Sequence, residues 1–209
     1  MKNIKQSEID LVAKVFSDVF DKYDLMNDIM SLGVHRIWKK NMIDWMNPQK
    51  GSCLIDVGSG TGDIAKSFLE RIKFQGKVTC VEPNELMLKT ENFDLYSVSF
   101  GIRNFSNINQ SLKEAKRVLK TGGRIFCLEF SKVENEILKK LYKTYSKSIP
   151  YIGKYVTGKS EPYRYLIDSI DRFYNQEELY EIFKKNGFHK VEYRNLSGGI
   201  AAIHSGWKI

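Results

Sequence analysis

The chain has 209 residues, of which 42% are apolar and 12% aromatic. This composition is sufficient for a hydrophobic core and too apolar for intrinsic disorder, so we expect one soluble domain over residues 1–209. No apolar run approaches the roughly 18 residues of a membrane helix, and the first residues lack the apolar stretch of a secretory signal. The net charge of +8 favours an anionic partner, whether nucleic acid, acidic lipid or a phosphorylated ligand.

Much of this charge is local, because residues 132–164 contain eight basic residues and three acidic ones. The three cysteines, Cys53, Cys80 and Cys127, are far apart and lie in apolar, strand-like runs. They suit reduced core positions, which predicts a cytoplasmic protein.

Residues 7–46 have helical periodicity, and the second part of this stretch runs from about Leu25 to Trp45, so residues 1–50 are predicted to form a helical N-terminal cap. The following segment, residues 51–131, alternates apolar strands with helices and predicts a parallel α/β sheet with right-handed crossovers. Its elements are strand Cys53–Val57, helix Ile64–Ile72, strand Lys77–Val81, strand Phe93–Phe100, a helix through Leu112 and Leu119 that stops at Thr121-Gly122-Gly123, and strand Arg124–Phe130.

Residues 132–172 are predicted to be a basic helical insertion, in which residues 134–148 form a lysine-rich amphipathic helix. Residues 173–209 are predicted to form a last helix, Asn175–Lys185, and two edge strands, Lys190–Arg194 and Ile200–Trp207. We expect these strands to form an antiparallel hairpin at the edge of the sheet.

One joint is too short for this fold, because only ten residues separate Glu82 from the strand at Phe93. A parallel crossover usually takes a dozen residues or more. The sequence therefore predicts a gap near 90/91, where a stretch of chain is missing.

A glycine-rich turn, Asp56-Val57-Gly58-Ser59-Gly60-Thr61-Gly62-Asp63, joins the first strand to the first helix. Such a turn allows a ligand to approach the backbone at a helix amino terminus. Asp63 stands where a dinucleotide fingerprint has its third glycine, and its charge disfavours NAD or FAD. Glu82, after the second strand, is placed to accept hydrogen bonds from ribose hydroxyls. The alternative is a strand–helix turn with a solvated carboxylate.

Gly153-Lys154-Tyr155-Val156-Thr157-Gly158-Lys159-Ser160 matches the phosphate-loop pattern letter for letter. No buried strand precedes it, so we interpret it as a flexible basic loop. His35, His189 and His204 are isolated and no cysteine pair has ligand spacing, so no metal site is predicted. Cys127 lies in an apolar run and is predicted to pack in the core.

Ser99-Phe100-Gly101-Ile102-Arg103-Asn104 follows a strand predicted to lie beside the first one, so this segment opens onto the cofactor crevice. Arg103 and Asn104 are candidates to meet a ligand, and the alternative is a surface arginine with an Asx turn. Tyr163 and Tyr165 line a pocket or pack a helix, and spacing alone favours packing.

Six strings, in order, closely resemble the quinone-biosynthesis C-methyltransferases that act on 2-polyprenyl-6-methoxy-benzoquinol and on demethylmenaquinol. The resemblance covers nearly the whole chain. The strings are Lys22-Tyr23-Asp24-Leu25-Met26-Asn27-Asp28 with His35-Arg36 and Trp38-Lys39, Gly60-Thr61-Gly62-Asp63, Ser99-Phe100-Gly101-Ile102-Arg103-Asn104, Arg117-Val118-Leu119-Lys120, Leu128-Glu129-Phe130-Ser131-Lys132, and Asn195-Leu196-Ser197-Gly198-Gly199-Ile200.

The resemblance implies a Rossmann-like class I methyltransferase with a mostly parallel seven-stranded sheet and helices on both faces. The third, edge strand and an acidic adenine-contacting segment are missing, which agrees with the gap. It implies S-adenosyl-L-methionine as cofactor and a polyprenyl quinol as substrate, with Arg103 and Asn104 near the substrate as the predicted catalytic residues. Given such a substrate, Tyr163 and Tyr165 remain candidates for its pocket. The cofactor contacts that it implies are Gly58, Gly60, Thr61, Gly62, Glu82 (where the family usually has Asp) and Ser99. Asp56 and Asp63, at the two ends of the same glycine-rich turn, are also predicted to bind the cofactor.

Two rival functions remain open. A class I methyltransferase acting on nucleic acid or another small molecule would also be basic, although the strings typical of base methylation are missing. A nicotinamide-binding oxidoreductase is disfavoured by Asp63. We expect no nucleic acid as a partner. Residues 134–148 are a hypothesis for contact with an anionic membrane surface, at the inner face of the membrane. The protein is also expected to form a homodimer or to join a quinone-biosynthesis complex.

Overall fold

The computed structural model describes residues 23–81 and 92–209. The first part of the predicted helical cap and the joint from Glu82 to Glu91 lie outside these residues. The chain divides into two compact units. We refer to residues 23–36 and 133–173 as the helical unit, and to residues 37–81, 92–132 and 174–209 as the sheet unit. The single-domain expectation and its subdivisions stay predictions.

The sheet unit contains one six-stranded sheet with the order β2-β1-β3-β4-β6-β5. Strand β1 runs parallel to β2 and to β3, and β3 runs parallel to β4. Strand β6 runs antiparallel to both β4 and β5. The predicted parallel α/β core and the antiparallel hairpin at the sheet edge are therefore confirmed. The strands are β1 (Cys53–Val57), β2 (Lys77–Val81), β3 (Phe93–Ser99), β4 (Leu119–Phe130), β5 (His189–Leu196) and β6 (Ala201–Trp207).

The helices of the described residues are α1 (Tyr23–Ser31), α2 (His35–Met46), α3 (Asp63–Arg71), α4 (Ile108–Val118), α5 (Glu136–Thr157), α6 (Glu161–Arg172) and α7 (Gln176–Lys185). The stretch predicted over Leu25 to Trp45 is two helices. Leu32 and Gly33 separate α1 from α2, and both have positive φ, a conformation that ends a helix.

The core of the sheet unit explains its apolar runs. In β1, which has a neighbouring strand on each side, Leu54, Ile55 and Val57 are buried, as expected for a parallel strand covered on both faces. Helix α3 buries Ile64 and Phe68 at helical spacing, and α4 likewise buries one apolar face. Burial of these faces supplies the main stabilisation of the unit.

The strand order places a topological switch point at β1. The chain forms β2 on one side of β1 and β3 on the other. In open α/β sheets, ligands bind in the crevice outside the carboxyl ends of the strands at such a point. The segments after β1 and β3 therefore occupy the position at which a ligand site is expected.

The helical unit contains α1, α5 and α6. The Tyr145 hydroxyl on α5 donates to the carbonyl of Ile29 on α1. Asp28 Oδ1 lies 2.8 Å from His35 Nε2, and Asp28 Oδ2 lies 2.8 Å from Arg36 Nη2. Hydrogen bonding to Arg36 is the largest of the effects that lower the pKa of Asp28. These contacts fix the turn between α1 and the first residues of α2.

Two predictions on glycine-containing segments are wrong. The helix expected to stop at Thr121-Gly122-Gly123 ends at Val118, and β4 begins at Leu119, which pairs with Phe93. The Gly122 N–H donates to the carbonyl of Lys208, so a long-range pairing draws this segment into the sheet.

The phosphate-loop pattern is not a flexible loop, because α5 continues through Thr157 and Gly158 caps it with positive φ. Gly153 lies within α5 where its backbone meets the ring of Tyr163, so a Cβ there would overlap that ring. Both glycines thus have a helical explanation. A helix carboxyl terminus also carries the wrong end of the helix dipole for a phosphate.

The cysteine prediction holds in part. Cys127 is buried and Cys53 is half-buried, but Cys80 is exposed. The prediction for Cys80 is wrong because β2 is the edge strand of the described sheet, so its side chains are less covered than those of β1.

Candidate active site

The glycine-rich turn follows β1 directly. Gly58, Gly60 and Gly62 all have positive φ, which strains other residues, and a Cβ at any of them would meet no atom within 4 Å. The Gly58 N–H donates to the carbonyl of Val81 at the end of β2, which anchors the turn at the sheet edge. The exposed Thr61 lies within this turn. The glycines are therefore required by backbone conformation, and their open sides leave room for a ligand to approach.

Asp56 precedes this turn inside β1. It is buried, and one carboxylate oxygen accepts a 2.6 Å hydrogen bond from the Ser97 hydroxyl on β3. The two strands are parallel neighbours. Asp56 thus joins the two strands whose carboxyl ends form the crevice.

Asp63 is the first residue of α3 and is partly exposed. Its carboxylate lies 2.7 Å from the ammonium of Lys39, which is itself mostly buried. The sequence argument treated Asp63 as an uncompensated anion, whereas the structure pairs it with a cation. Asp63 therefore still disfavours a pyrophosphate, but less strongly than its charge alone suggests.

Arg103 lies in a 3-10 turn, Ile102–Asn104, just after β3, and its side chain is only 1% exposed. Its Nη1 donates to the carbonyl of Phe100 at 2.7 Å and to Glu129 Oε1 at 2.6 Å. The surface-arginine alternative is therefore wrong. Asn104 is half-buried, and its backbone N–H closes the turn by donating to the Gly101 carbonyl.

An aromatic cluster lies beside Arg103. The rings of Phe100 and Phe130 have centroids 4.9 Å apart, and Trp38 lies 6.3 and 6.0 Å from them. The Trp38 indole N–H donates to the Ser197 hydroxyl at 3.0 Å. Four of the strings on which the resemblance rests, far apart in sequence, thus meet in this cluster, and the centroid of its Phe130 ring lies 5.8 Å from the guanidinium carbon of Arg103.

Ser99 ends β3 at this same edge. Its hydroxyl is buried and has no hydrogen-bond partner among residues 23–81 and 92–209. Such a group costs free energy unless something satisfies it. The unpaired hydroxyl and the open sides of the glycines both fit a ligand with polar groups held across the ends of β1 and β3.

The other candidates lie elsewhere. Tyr163 and Tyr165 belong to α6 in the helical unit, where Tyr163 is fully buried and Tyr165 half-buried. Burial raises the pKa of the Tyr163 phenol. Glu82 lies outside the described residues. The roles assigned to these residues and to the site as a whole stay predictions.

A family model supports the resemblance to the quinone-biosynthesis C-methyltransferases. The model described as the ubiE/COQ5 methyltransferase family matches residues 1–92 and 88–208 of this chain. The chain belongs to the ubiE/COQ5 methyltransferase family.

Relatives in the ubiE/COQ5 family match almost end to end. The chain is 44% identical to a ubiquinone/menaquinone biosynthesis C-methyltransferase of Brucella anthropi, over 95% of this chain and 88% of the relative. It is 43% identical to the Rhizobium leguminosarum protein of the same name, over 96% of this chain and 90% of that relative. The Brucella alignment extends over 230 residues, which is longer than this chain, and the two segments of the family match meet at residues 88–92. The gap near 90/91 stays a prediction.

Solved structures agree on the fold. An S-adenosylmethionine-dependent methyltransferase from Thermotoga maritima superimposes with a TM-score of 0.63 at 18% identity, covering 94% of this chain and 99% of that one. One from Aquifex aeolicus gives a TM-score of 0.57 at 14% identity, covering 82% and 89%. The class I methyltransferase fold expected for a ubiE/COQ5 member is confirmed.

Glu129 and Lys39 were not assigned a role from the sequence. Both occur in the strings that resemble the ubiE/COQ5 family, and that was the only signal available. Their partners, Arg103 and Asp63, lie 26 and 24 residues away in the chain. No local pattern links such pairs, and only the pairing of β3 with β4 and the position of α2 bring them together.

Proposed function

We propose that this protein is an S-adenosyl-L-methionine-dependent C-methyltransferase that methylates the ring of a polyprenylated quinol, either a 2-polyprenyl-6-methoxy-benzoquinol or a demethylmenaquinol. The observation that carries the proposal is the buried Arg103, which lies among aromatic side chains at the edge of the sheet that also carries the open glycine turn. The near end-to-end identity to relatives named for this reaction supports it.

The glycine turn and Ser99 would hold the cofactor. The glycines allow its close approach to the backbone, and the buried Ser99 hydroxyl can satisfy one of its polar groups. Asp63, at the amino terminus of α3, suits a ligand that is not a polyanion. When bound, S-adenosylmethionine supplies an electrophilic methyl group on a positively charged sulfur.

The protein's part in the reaction is to orient the quinol and stabilise its charge. A ring carbon ortho to a phenol becomes nucleophilic as the phenol ionises. This carbon forms a bond to the methyl carbon while the sulfur keeps the electron pair of the broken S–C bond. Loss of the ring proton then restores the aromatic ring as a phenolate, which takes up a proton from water to give the methylated quinol. Only the reduced ring can react in this way, and alignment supplies much of the acceleration.

Arg103 is assigned to the developing phenolate. A guanidinium does not lose its proton in proteins, so it acts as a fixed positive charge and hydrogen-bond donor and not as the base. The aromatic cluster of Trp38, Phe100 and Phe130 supplies apolar surroundings on one side of Arg103. Electrostatic stabilisation is stronger in such surroundings than in water.

The decisive experiment is transfer of labelled methyl from S-adenosylmethionine to each demethylated quinone, with and without a chemical reductant. We expect product only with the reductant. Binding of NADH but not S-adenosylmethionine in calorimetry would favour an oxidoreductase, and methylation of RNA but not of quinol would favour a nucleic-acid methyltransferase. Either result would contradict the proposal.

Arg103→Gln tests the assigned residue. We expect kcat to fall by about 10²–10³-fold because a preorganised charge is lost, with the Kd for S-adenosylmethionine within twofold of wild type. Arg117→Gln is the matched control, since Arg117 pairs with Glu114 within α4 and should leave kcat unchanged. Full activity of Arg103→Gln would remove Arg103 from the mechanism.

We also propose that α5 attaches the enzyme to an anionic membrane surface, where a polyprenyl substrate resides. Ile137, Leu141, Tyr151 and Tyr155 are each at least 64% exposed, and at 3.6 residues per turn they fall within an arc of about 80°. Lys140, Lys143, Lys147 and Lys154 are exposed along the adjoining arc. A helix with an apolar stripe bordered by lysines is typical of interfacial binding. Among the described residues, no helix is long and apolar enough to cross a membrane.

Vesicle sedimentation tests this attachment. Phosphatidylcholine vesicles containing phosphatidylglycerol should bind the protein more strongly than phosphatidylcholine alone. Replacing Ile137, Leu141 and Tyr155 with Ser should release it, whereas Phe74→Ser is the control, because Phe74 is equally exposed but lies in the sheet unit. No preference for the anionic lipid would contradict the proposal.

A further inference from the structure

The ion pair between Arg103 and Glu129 is almost completely enclosed, with side chains 1% and 2% exposed. Glu129 is the penultimate residue of β4, and Arg103 follows β3 by four residues. Because β3 and β4 are parallel, with Ser99 opposite Leu128, the carboxyl ends of both strands bring these side chains to the same edge. Enclosed charges are tolerated only when they are paired and hydrogen-bonded, so each residue depends on the other.

Glu129 contacts Arg103 at two points. Glu129 Oε1 accepts from Nη1 of the guanidinium at 2.6 Å and from the backbone N–H of Phe130 at 2.9 Å. Glu129 Oε2 lies 3.4 Å from the backbone nitrogen of Arg103. One carboxylate therefore contacts both the guanidinium group and the backbone of the arginine. The centroid of the Phe130 ring lies 5.8 Å from the guanidinium carbon.

The pair also has an electrostatic consequence. The carboxylate offsets the positive charge that the guanidinium would otherwise present to a neighbouring phenol. Burial raises the pKa of Glu129, and the charge of Arg103 acts in the opposite direction. Replacing Glu129 with a neutral residue would remove this offsetting negative charge from a poorly solvated place, so the guanidinium would favour ionisation of a nearby phenol more strongly.

We propose that Glu129 is a positioning residue for the methyl-transfer reaction: it fixes the orientation of the Arg103 guanidinium and offsets its charge, and so sets the pH at which the quinol ionises in the site. This inference rests on the proposed function, because it requires the substrate phenol to lie near Arg103.

The test uses the full chain, a reduced demethylated quinol and labelled S-adenosylmethionine. Wild-type turnover is measured first, and it tests the proposed function separately from Glu129. The variants are Glu129→Gln, Glu129→Asp, Arg103→Gln and the double variant Arg103→Gln with Glu129→Gln. For each, kcat and KM are measured between pH 5.5 and 9, with the Kd for S-adenosylmethionine from calorimetry and folding from circular dichroism.

We expect Glu129→Gln to lower kcat by about 10²-fold, as a misplaced catalytic group does, with an unchanged Kd for the cofactor. The acidic limb of its pH–rate profile should move about one unit lower, because the offsetting charge is gone. Glu129→Asp keeps the charge, so its acidic limb should stay in the wild-type position. The double variant should be no slower than Arg103→Gln alone, since Glu129 acts through Arg103.

Three results would overturn the inference. The first is wild-type kcat and pH profile in Glu129→Gln. The second is that kcat falls in both Glu129→Gln and Glu129→Asp while the acidic limbs of their pH–rate profiles coincide. A merely structural role of Glu129 predicts that result. The third is a double variant much slower than Arg103→Gln, which would indicate that Glu129 accepts a proton directly. If Glu129→Gln does not fold, Glu129→Asp and the double variant, which removes both charges, carry the comparison.

Discussion

His204 is a buried titratable residue of the sheet unit, 1% exposed on β6. Its Nε2 lies 2.8 Å from the carbonyl of Gln176, and the rings of Phe183 and Tyr193 are 6.0 and 5.4 Å away. Burial lowers the pKa of His204 to about 4, although the hydrogen bond to Gln176 acts in the opposite direction. The imidazole is therefore neutral in the folded protein at pH values where an unfolded chain protonates it.

This lowered pKa predicts how stability depends on pH. Between the unfolded value of about 6.5 and the folded value of about 4, the unfolded chain binds more protons. The free energy of unfolding should thus fall as pH falls through this window, by up to about 1.4 kcal/mol per pH unit.

Urea unfolding at pH 7, 6 and 5 measures this slope. His204→Gln should remove the part that His204 contributes, whereas His189→Gln, at an exposed position, should leave the slope as in wild type. Equal slopes in wild type and His204→Gln would contradict the assignment.

At the residue scale, what the sequence could predict depends on how local the cause is. The glycines of the turn after β1 were predictable because positive φ is a property of each residue and its neighbours. The burial of Arg103 was not, because it depends on Glu129 from another strand. The same holds for Asp63, whose charge is compensated by Lys39 on α2.

At the scale of elements, the packing of α5 on α6 overrides the local signal of Gly153. Intrinsic propensity favours alanine over glycine inside a helix by about 1 kcal/mol. At this position a Cβ would overlap the buried ring of Tyr163. Overpacking of a core typically costs about 1–3 kcal/mol, so we expect Gly153→Ala to destabilise the protein by about that amount.

Thermal and urea unfolding of Gly153→Ala measure this effect. Lys154→Ala, at the next and exposed position of α5, is the control and should change stability by less than about 0.5 kcal/mol. Adding Tyr163→Leu to Gly153→Ala should recover part of the loss by relieving the overlap. A Gly153→Ala protein more stable than wild type would show that helix propensity dominates there.

The elements that periodicity predicted well are those whose own pattern decides them. The apolar runs of β1 and β3 and the helix α7, with its Asn175 and Glu178 capping box, have their signals within a few residues. The carboxyl half of α5 and the start of β4 contain glycines that resemble breaks. In the first case the glycine packs against Tyr163 on the next helix, and in the second it pairs with Lys208, and neither contact is visible in the residues that flank the glycine.

At the scale of the whole molecule, β2 is the edge strand of the sheet formed by residues 23–81 and 92–209, and its residue Cys80 is exposed. The Brucella anthropi relative aligns over more positions than this chain has residues. We propose that the additional residues form the third, edge strand and the adenine-contacting segment that the resemblance implies, with the gap near 90/91. This chain should then bind S-adenosylmethionine more weakly than its relatives do.

A chimera tests this. The relative's segment without a counterpart here is inserted between Thr90 and Glu91, and a Gly-Ser linker of equal length is inserted at the same place as control. Calorimetry should show S-adenosylmethionine binding at least about tenfold tighter in the chimera, or about 1.4 kcal/mol, and no gain with the linker. Because an added strand and its helix would cover β2, thiol labelling of Cys80 should also slow in the chimera alone. Equal affinity and equal labelling in all three proteins would mean that the described six-stranded sheet is already complete for binding.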